Sequence, residues 1–296
     1  MSTRLNQLKK SEIDYLDFLF PYAYNILGSA EDAKDAVQDV LVKHFANSNE
    51  HIDDQKNYLI KSIINLAINM KSRQKKTIHS DELWLPEPVA TDDAADKNIY
   101  LNEVLSYSLL ILMENLNAKE RAVFILKESF DYTHLEIADI LTITEEHSRQ
   151  LLSRAKASIF KPGQKRTEKQ VAHERNVLER FMTAIRQRDA QQLEDAMADD
   201  IRFYADGGGK VPLLATRCVG SADVAALIMK VYYLFLTSAK IEYAVINHQP
   251  ALLSYKAGRL NSCQVFDLHP KTNKVLQINA VLDPDKLKSL SQKIFS

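Results

Sequence analysis

The chain is short of the residues that mark most specialised architectures. Seven glycines and eight prolines in 296 residues exclude a collagenous or low-complexity polymer. Two cysteines, Cys218 and Cys263, form no CxxC pair and stand near no histidine pair. That argues against a disulfide scaffold and a structural zinc site. No apolar run approaches the roughly 18 residues of a membrane span. The N-terminal residues 1–14 turn acidic where a signal peptide would turn apolar, so no membrane association and a cytoplasmic location are expected. No segment repeats with a solenoid period. What is present is 46% hydrophobic and 26% charged residues, the composition of a folded protein, over a length that suits two or three domains.

A net charge of −1 conceals an asymmetry. Residues 1–160 carry a balance of −7 and residues 161–296 one of +6. Gln55 to Ser80 holds Lys56, Lys61, Lys71, Arg73, Lys75 and Lys76 without an acid. His147 to Thr167 holds Arg149, Arg154, Lys156, Lys161, Lys165 and Arg166 without an acid. Between the two blocks, Thr77 to Asp96 has six acids and no Lys or Arg. Two polyanion contacts joined by an acidic connector fit this pattern; ordinary solvated helix faces are the alternative.

Residues 1–76 read as helices. Ser29 before Glu31 and Asp32 is an N-cap with acids in the first turn. Ala33, Ala36, Val37, Val40, Leu41 and Phe45 then recur at helical spacing. From Gln55 a further helix buries Leu59, Ile63, Leu66, Ala67 and Met70, and repeats Asn57, Lys61, Asn65 and Asn69 on its polar face. Pro86 and Pro88 exclude a regular helix nearby, so residues 77–98 read as a linker holding the only tryptophan, Trp84. Helices resume from about Ile99. Asn117 with Glu120, and Thr133 with Glu136, fit reciprocal capping. Thr142-Ile143-Thr144 is a turn between two short helices, the skeleton of a helix-turn-helix. In the second of these, Ser148, Leu151, Leu152, Ala155 and Ile159 share one side. Arg149, Gln150 and Ser153, flanked by Arg154 and Lys156, share the other. Arg and Gln bond base edges in pairs, and flanking cations reach phosphate.

Lys161-Pro162-Gly163-Gln164 breaks the helical run. Beyond it, residues 170–198 read as helical, Ile201 to Tyr204 as extended, and Ser221 as the cap of a helix to about Leu236. Four strand-like runs follow between Lys240 and Leu282, with breaks near Gln249-Pro250, Ala257-Gly258 and His269-Pro270. This is an α+β pattern. Three consecutive glycines, Gly207, Gly208 and Gly209, permit positive φ and close backbone approach, or form a simple hairpin turn.

Asp32 to Val40 resembles the core-polymerase-binding helix of extracytoplasmic-function sigma factors. Tyr58-Leu59 through Ile64-Asn65-Leu66-Ala67 to Lys71-Ser72-Arg73 is similar to their −10-reading stretch. Leu116 to Phe124, Glu136-Ile137-Ala138 and Ser153-Arg154-Ala155-Lys156 resemble sigma domain 4, the −35 reader. Trp84-Leu85-Pro86-Glu87-Pro88, Asp206-Gly207-Gly208-Gly209-Lys210 and Asp283-Pro284-Asp285-Lys286-Leu287 resemble the motifs of a subgroup with a C-terminal SnoaL-like cone. Three residues depart from the pattern. Thr142 replaces a turn glycine, Ser148 a buried aliphatic, and Asp283 an asparagine.

The resemblance implies a multidomain fold: two all-α sigma domains, the second with a helix-turn-helix, followed by an α+β cone-like SnoaL-like domain. It divides the chain into sigma domain 2 (1–76), linker (77–98), sigma domain 4 (99–166) and regulatory domain (167–296). It implies a non-enzymatic factor directing promoter-specific transcription initiation, with no cofactor, metal or catalytic residue, whose partners are bacterial RNA polymerase core and promoter DNA. Asp35, Gln38 and Asp39 would face polymerase arginines, a solvated helix face being the alternative. Tyr58, Lys61, Asn65, Asn69 and Arg73 would meet the −10 element, with core packing the alternative for Tyr58. Arg149, Gln150, Ser153, Arg154 and Lys156 would meet the −35 element. Trp84, Pro86, Glu87, Asp206, Gly207, Gly208, Gly209, Lys210, Asp283 and Asp285 would form an interdomain regulatory contact, the glycine loop touching the Trp84 linker. The C-terminal domain would then modulate activity through the linker in place of a separate anti-sigma protein. The alternatives are a ligand-sensing or weakly enzymatic cone, using Tyr204, Asp206, His248, Asp267 or His269, fused to a helix-turn-helix regulator, and a simple one-component repressor. An unknown small ligand in the C-terminal domain stays open as a further partner.

Overall fold

The computed structural model describes residues 2–46, 54–77, 83–91, 99–159 and 168–291. The expected break at residues 161–164 lies outside them, with Lys161, Lys165 and Arg166 of the second basic block.

The first helices are α1 (Ser2–Leu27), α2 (Ala30–Ala46) and α3 (Gln55–Thr77). Ser29 caps α2 as its sequence requires, its Oγ accepting from the Asp32 N–H at 3.1 Å. Gly28 turns the chain between α1 and α2 at φ +74, where a Cβ would stand 3.0 Å from the Trp84 ring. After the linker come α4 (Tyr107–Leu112), α5 (Ala118–Glu128), α6 (His134–Leu141) and α7 (Glu145–Ser158). Both expected capping boxes form, Asn117 with Glu120 on α5 and Thr133 with Glu136 on α6. Thr142 ends α6 in the left-handed region, at φ 53 and ψ 53, and Thr144 caps α7. Ser148 replaces an aliphatic side chain without leaving a polar group stranded, since its Oγ lies 2.9 Å from His134 Nδ1.

The remainder is α+β. Helices α8 (Glu168–Gln187) and α9 (Ala190–Asp195) precede β1 (Met197–Asp206) and β2 (Arg217–Val219). Then come α10 (Ser221–Val231), a π-helical turn (Tyr232–Leu236), β3 (Lys240–Ile246), β4 (Gln249–Lys256), β5 (Arg259–Leu268), β6 (Val275–Val281) and α11 (Pro284–Ser291). The sheet order is β2-β1-β6-β5-β4-β3, with β1 and β6 parallel. Two local expectations are corrected. Ser221 is the first residue of α10, and Gly220 takes the cap position at φ 97, a conformation that side chains resist. The first hairpin turn is Asn247-His248, both at positive φ as a two-residue turn demands. Pro250 lies inside β4, where pairing to β5 begins only at Ala251. The carbonyl of Val245, opposite Pro250, accepts instead from the Thr91 N–H at 2.9 Å.

The apolar side chains fall into three clusters. One runs unbroken from Leu19 on α1 to Ile159 after α7, so both helical segments share a core. The second lies between the sheet and α8–α10. The third joins Leu85 of the linker, Tyr107 of α4, and Ile246, Cys263, Val265 and Val281 on the opposite face of the sheet. A threonine in the left-handed region costs about 1 kcal/mol that glycine avoids. Thr142→Gly is therefore expected to raise the urea-unfolding midpoint of the helical part, followed by circular dichroism.

Candidate functional site

Leu85 to Val89 is buried throughout, without being helix or strand. Burial obliges each backbone polar group to find a partner, and each does. The Leu85 N–H donates to Asp206 Oδ2 at 2.8 Å, and its carbonyl accepts from Lys286 Nζ at 2.7 Å. The Pro86 carbonyl accepts from the Tyr107 hydroxyl at 2.7 Å. The Glu87 N–H donates to the Gly28 carbonyl at 2.8 Å, and its carbonyl accepts from the Tyr24 hydroxyl at 2.6 Å. The Pro88 carbonyl accepts from Ser289 Oγ at 3.2 Å. The Val89 N–H donates to Asn247 Oδ1 at 2.9 Å, and its carbonyl accepts from the Asn247 N–H at 2.8 Å. The two prolines remove two donors that would otherwise need acceptors. The partners come from α1, α4 and the α+β domain, so the linker is gripped from three sides.

Glu87 adds a second function to this segment. Its carboxylate accepts from Ser29 Oγ and the Ala30 N–H, each at 2.8 Å, and from the Glu31 N–H at 3.2 Å. It thereby fills the anion position at the start of α2. Burial pushes its carboxyl above the usual range, against the hydrogen bond from Ser29 and the two backbone donors, which favour the ionised form.

Trp84 lies beside two ammonium groups, Lys71 at 4.6 Å and Lys286 at 4.5 Å from the ring centroid, both cation–π distances. Lys71 was counted in a polyanion-facing block; it is instead buried. It donates to the Leu27 carbonyl at 2.9 Å and to Glu114 at 2.8 Å. Glu114 also pairs with Arg121, which is fully buried on α5 and donates to the Asn25 carbonyl at 2.8 Å. Burial works to raise the Glu114 carboxyl, but Arg121 and Lys71 outweigh it and hold the group below the ordinary range.

The glycine loop reaches the linker through one residue. Asp206 Oδ2 takes both the Leu85 N–H and Lys286 Nζ, the latter at 2.6 Å, while its Oδ1 takes the Gly208 N–H at 2.8 Å. Gly208 stands at φ +60, and a Cβ there would collide with the Asp283 carboxyl at 2.2 Å. A Cβ on Gly207 would meet the Val211 carbonyl at 2.4 Å; Gly209 is open to solvent space, with nothing near its Cβ position. Lys210 does not touch Trp84 in any contact observed. It pairs with Asp283 at 3.3 Å and with Asp285, tying the loop to α11 within the same domain. The expected place of Lys210 in the interdomain contact is corrected accordingly: its ion pairs stay within the α+β domain.

Asn247 and Gln249 carry much of the grip and were missed in the sequence. Asn247 Nδ2 donates to the Tyr24 hydroxyl at 3.0 Å and the Leu105 carbonyl at 3.1 Å. Gln249 Oε1 accepts from the Ser108 N–H at 2.7 Å. An Asn in a two-residue turn signals a hairpin, and nothing in its neighbours signals burial.

On α2, Asp35, Gln38 and Asp39 are exposed on one face, and Val42, 68% exposed, continues it. On α3, Tyr58 is 40% exposed beside His44, outside the core. Asn69 and Arg73 are exposed. Lys61 and Asn65 meet α6: Lys61 pairs with Asp139 at 3.3 Å, and Asn65 donates to the Ile140 carbonyl at 3.1 Å. On α7, Arg149, Gln150, Ser153, Arg154 and Lys156 are all exposed. Arg149 pairs with Glu145 at 2.5 Å and Lys156 with Glu128 at 2.8 Å. The faces of α2 and α7 are thus open, and part of the α3 face is covered by the helix-turn-helix.

The five groups weighed for catalysis do not converge. Asp206 is committed to the linker, Asp267 Oδ1 to Gln249, and His269 Nδ1 to the turn N–H groups of Lys271 and Thr272. Neither these three nor Tyr204 and His248 line the cavity of the α+β domain.

Residues 14–77 match the family of sigma-70 region 2, and residues 108–159 that of sigma-70 region 4. The chain is 26% identical to the ECF RNA polymerase sigma factor SigJ of Mycobacterium tuberculosis, over 94% of this chain and 93% of that protein. It is 24% identical to a probable ECF RNA polymerase sigma factor, SigI, of the same organism, again over 94% and 93%. The crystal structure of the M. tuberculosis extracytoplasmic function sigma factor SigJ superposes with a TM-score of 0.73 at 22% identity, covering 95% of this chain and 98% of that one. The whole fold is therefore shared, extension included.

Two outcomes are expected. Asn247→Ala strands the Val89 N–H and the Leu105 carbonyl, at about 1–3 kcal/mol for a buried group. The emission of Trp84 should shift to the red and residues 83–91 should become cleavable by protease. The depressed Glu114 carboxyl contributes stability above its unfolded value, about 4.3, and loses it as the pH falls below that value through the folded one. Urea titrations from pH 6 to 3 should therefore show a shallower acid loss in Glu114→Gln than in the wild type.

Proposed function

We infer that this chain, a sigma factor of the extracytoplasmic-function type, directs RNA polymerase to promoters under the control of its own C-terminal α+β domain. Region 2 on α1–α3 and region 4 on α4–α7 would act as separate promoter readers at about 1–76 and 99–166, joined by residues 77–98 and governed by 167–296. The observation that carries the reading is the linker itself. Every backbone polar group from Leu85 to Val89 is satisfied by a partner in the two helical regions or in the α+β domain. A domain that holds this segment fixes how far apart the two regions can move.

The exposed Asp35, Gln38 and Asp39 face, extended by Val42, suits a basic helical surface of the polymerase core, since carboxylates receive arginine as a fork. Tyr58, Asn69 and Arg73, all exposed, would meet unstacked −10 bases. Lys61 and Asn65 become available only when α6 leaves α3, so the closed arrangement is a resting state that core polymerase must open before the promoter is read. The α7 face reads the −35 element. There Arg149 must exchange Glu145, and Lys156 must exchange Glu128, for nucleic acid.

In vitro transcription with core polymerase tests this. The full chain, a truncation at about Lys169, and a trim lacking residues 283–296 should initiate at clearly different rates. Arg149→Ala should lose about 1–3 kcal/mol of discrimination at one −35 position. Equal rates from all three forms would remove the regulatory reading and leave the sigma reading intact; initiation by none would remove both.

A further inference from the structure

The α+β domain encloses a cavity of about 260 Å³ between the sheet and the helices α8 and α10. That is larger than the engineered hole of roughly 150 Å³ that takes up benzene. Its walls are mostly apolar, with Phe181, Met182, Leu227 and Ile228 among them. The π-helical turn Tyr232–Leu236 contributes Tyr232, Phe235 and Leu236, and such turns gather at functional sites. Leu214 and Phe235 also line the cavity and are about half exposed, 47% and 50%, an unusual place for large apolar side chains unless they flank an entrance.

One wall is polar. Ser254 and Ser262 face each other across β4 and β5, and both line the cavity with Gln264. Ser262 is 5% exposed, and its hydroxyl has no hydrogen-bond partner among the described residues. A buried hydroxyl without a partner is costly, so its presence points to something that fills the space. Lys256, exposed, lies at the same end, and no Asp or Glu lines the cavity. Ser254, Asn261, Ser262 and Gln264 can each donate a hydrogen bond, and Lys256 adds one cation with no competing anion.

We propose that this cavity binds a small apolar carboxylic acid, its hydrocarbon among the helices and its carboxylate toward Ser254, Ser262, Gln264 and Lys256. The site lies against the linker clamp through the pleat of the sheet. Ala205 lines the cavity one residue before Asp206, and Leu282, also in its wall, donates its N–H to the Asp206 carbonyl at 2.7 Å. Val211 lines it too and bonds back to Gly207. Occupancy therefore shifts the residues that hold the linker. This second half rests on the regulatory reading above; binding itself does not.

Titration calorimetry of the full chain with sodium decanoate and with sodium 1-naphthoate tests the site, and the emission of Trp84, the only tryptophan, reports the linker. Saturable binding of at least one acid at one per chain is expected, with Trp84 emission changing along the same curve. Ser262→Val should weaken binding about tenfold, and Ile228→Phe, which fills the space, should abolish it. Both variants should keep the wild-type emission without ligand, showing that the clamp is folded. Absence of saturable binding by either acid, or wild-type affinity in both variants, would overturn the site. Saturable binding with silent Trp84 would overturn its coupling to the linker. Transcription without added acid reports the sigma activity independently, so a failed titration is distinct from a failed sigma assignment.

Discussion

A peptide segment that is neither helix nor strand cannot be buried unless other parts of the molecule satisfy its backbone. Leu85 to Val89 meets that condition only with α1, α4 and the α+β domain all in place. Its prolines lower the number of donors, and Tyr24, Gly28, Tyr107, Asp206, Asn247, Lys286 and Ser289 supply the partners. Removing any one body leaves stranded polar groups, each worth about 1–3 kcal/mol. The association of the three is therefore cooperative, and it passes through the five residues from Leu85 to Val89, two on either side of Glu87.

The same logic explains why the helical regions sit closed. Lys71, Glu114 and Arg121 form a buried ionic cluster joining α3 to the start of α5, and breaking such a cluster by removing one partner costs about 3–5 kcal/mol. The Lys61–Asp139 pair, nearly three turns earlier on α3, is exposed and contributes little. Closure is thus held by the buried cluster and the shared apolar core, whereas the surface pair adds register. On the proposed reading, a polymerase that separates the regions must replace these contacts with its own, and the strength of the clamp would set when the factor is competent.

Much of this was legible beforehand. Capping at Ser29, Asn117 and Thr133 is local chemistry, and the two faces of α7 follow from helical spacing, so these appear in the structure as expected. Asp206 and Gly208 were pointed to by the resemblance of residues 206–210 to a family motif; the glycines by themselves left a simple hairpin turn open. What escaped was long-range. Nothing in the chain around Asn247 distinguishes an exposed hairpin turn from one buried against two other regions. Lys71 stands in a basic block, and only the fold shows that Glu114, 43 residues away, neutralises it. Lys210 came into the interdomain contact only as the last residue of the resembled motif 206–210, and its charge is met by Asp283 and Asp285 at the start of α11. Pairings that span domains carry no periodicity, and periodicity is what a single sequence displays.

The central claim is that the clamped linker keeps α3 and α7 at one fixed separation until polymerase intervenes. Spin labels at the exposed positions Asn69 and Ser153, with their distance read by double electron–electron resonance, address it directly. The account predicts one narrow distance in the free chain and a longer one after core polymerase is added. A broad distribution in the free chain, or a distance that polymerase leaves unchanged, would contradict it.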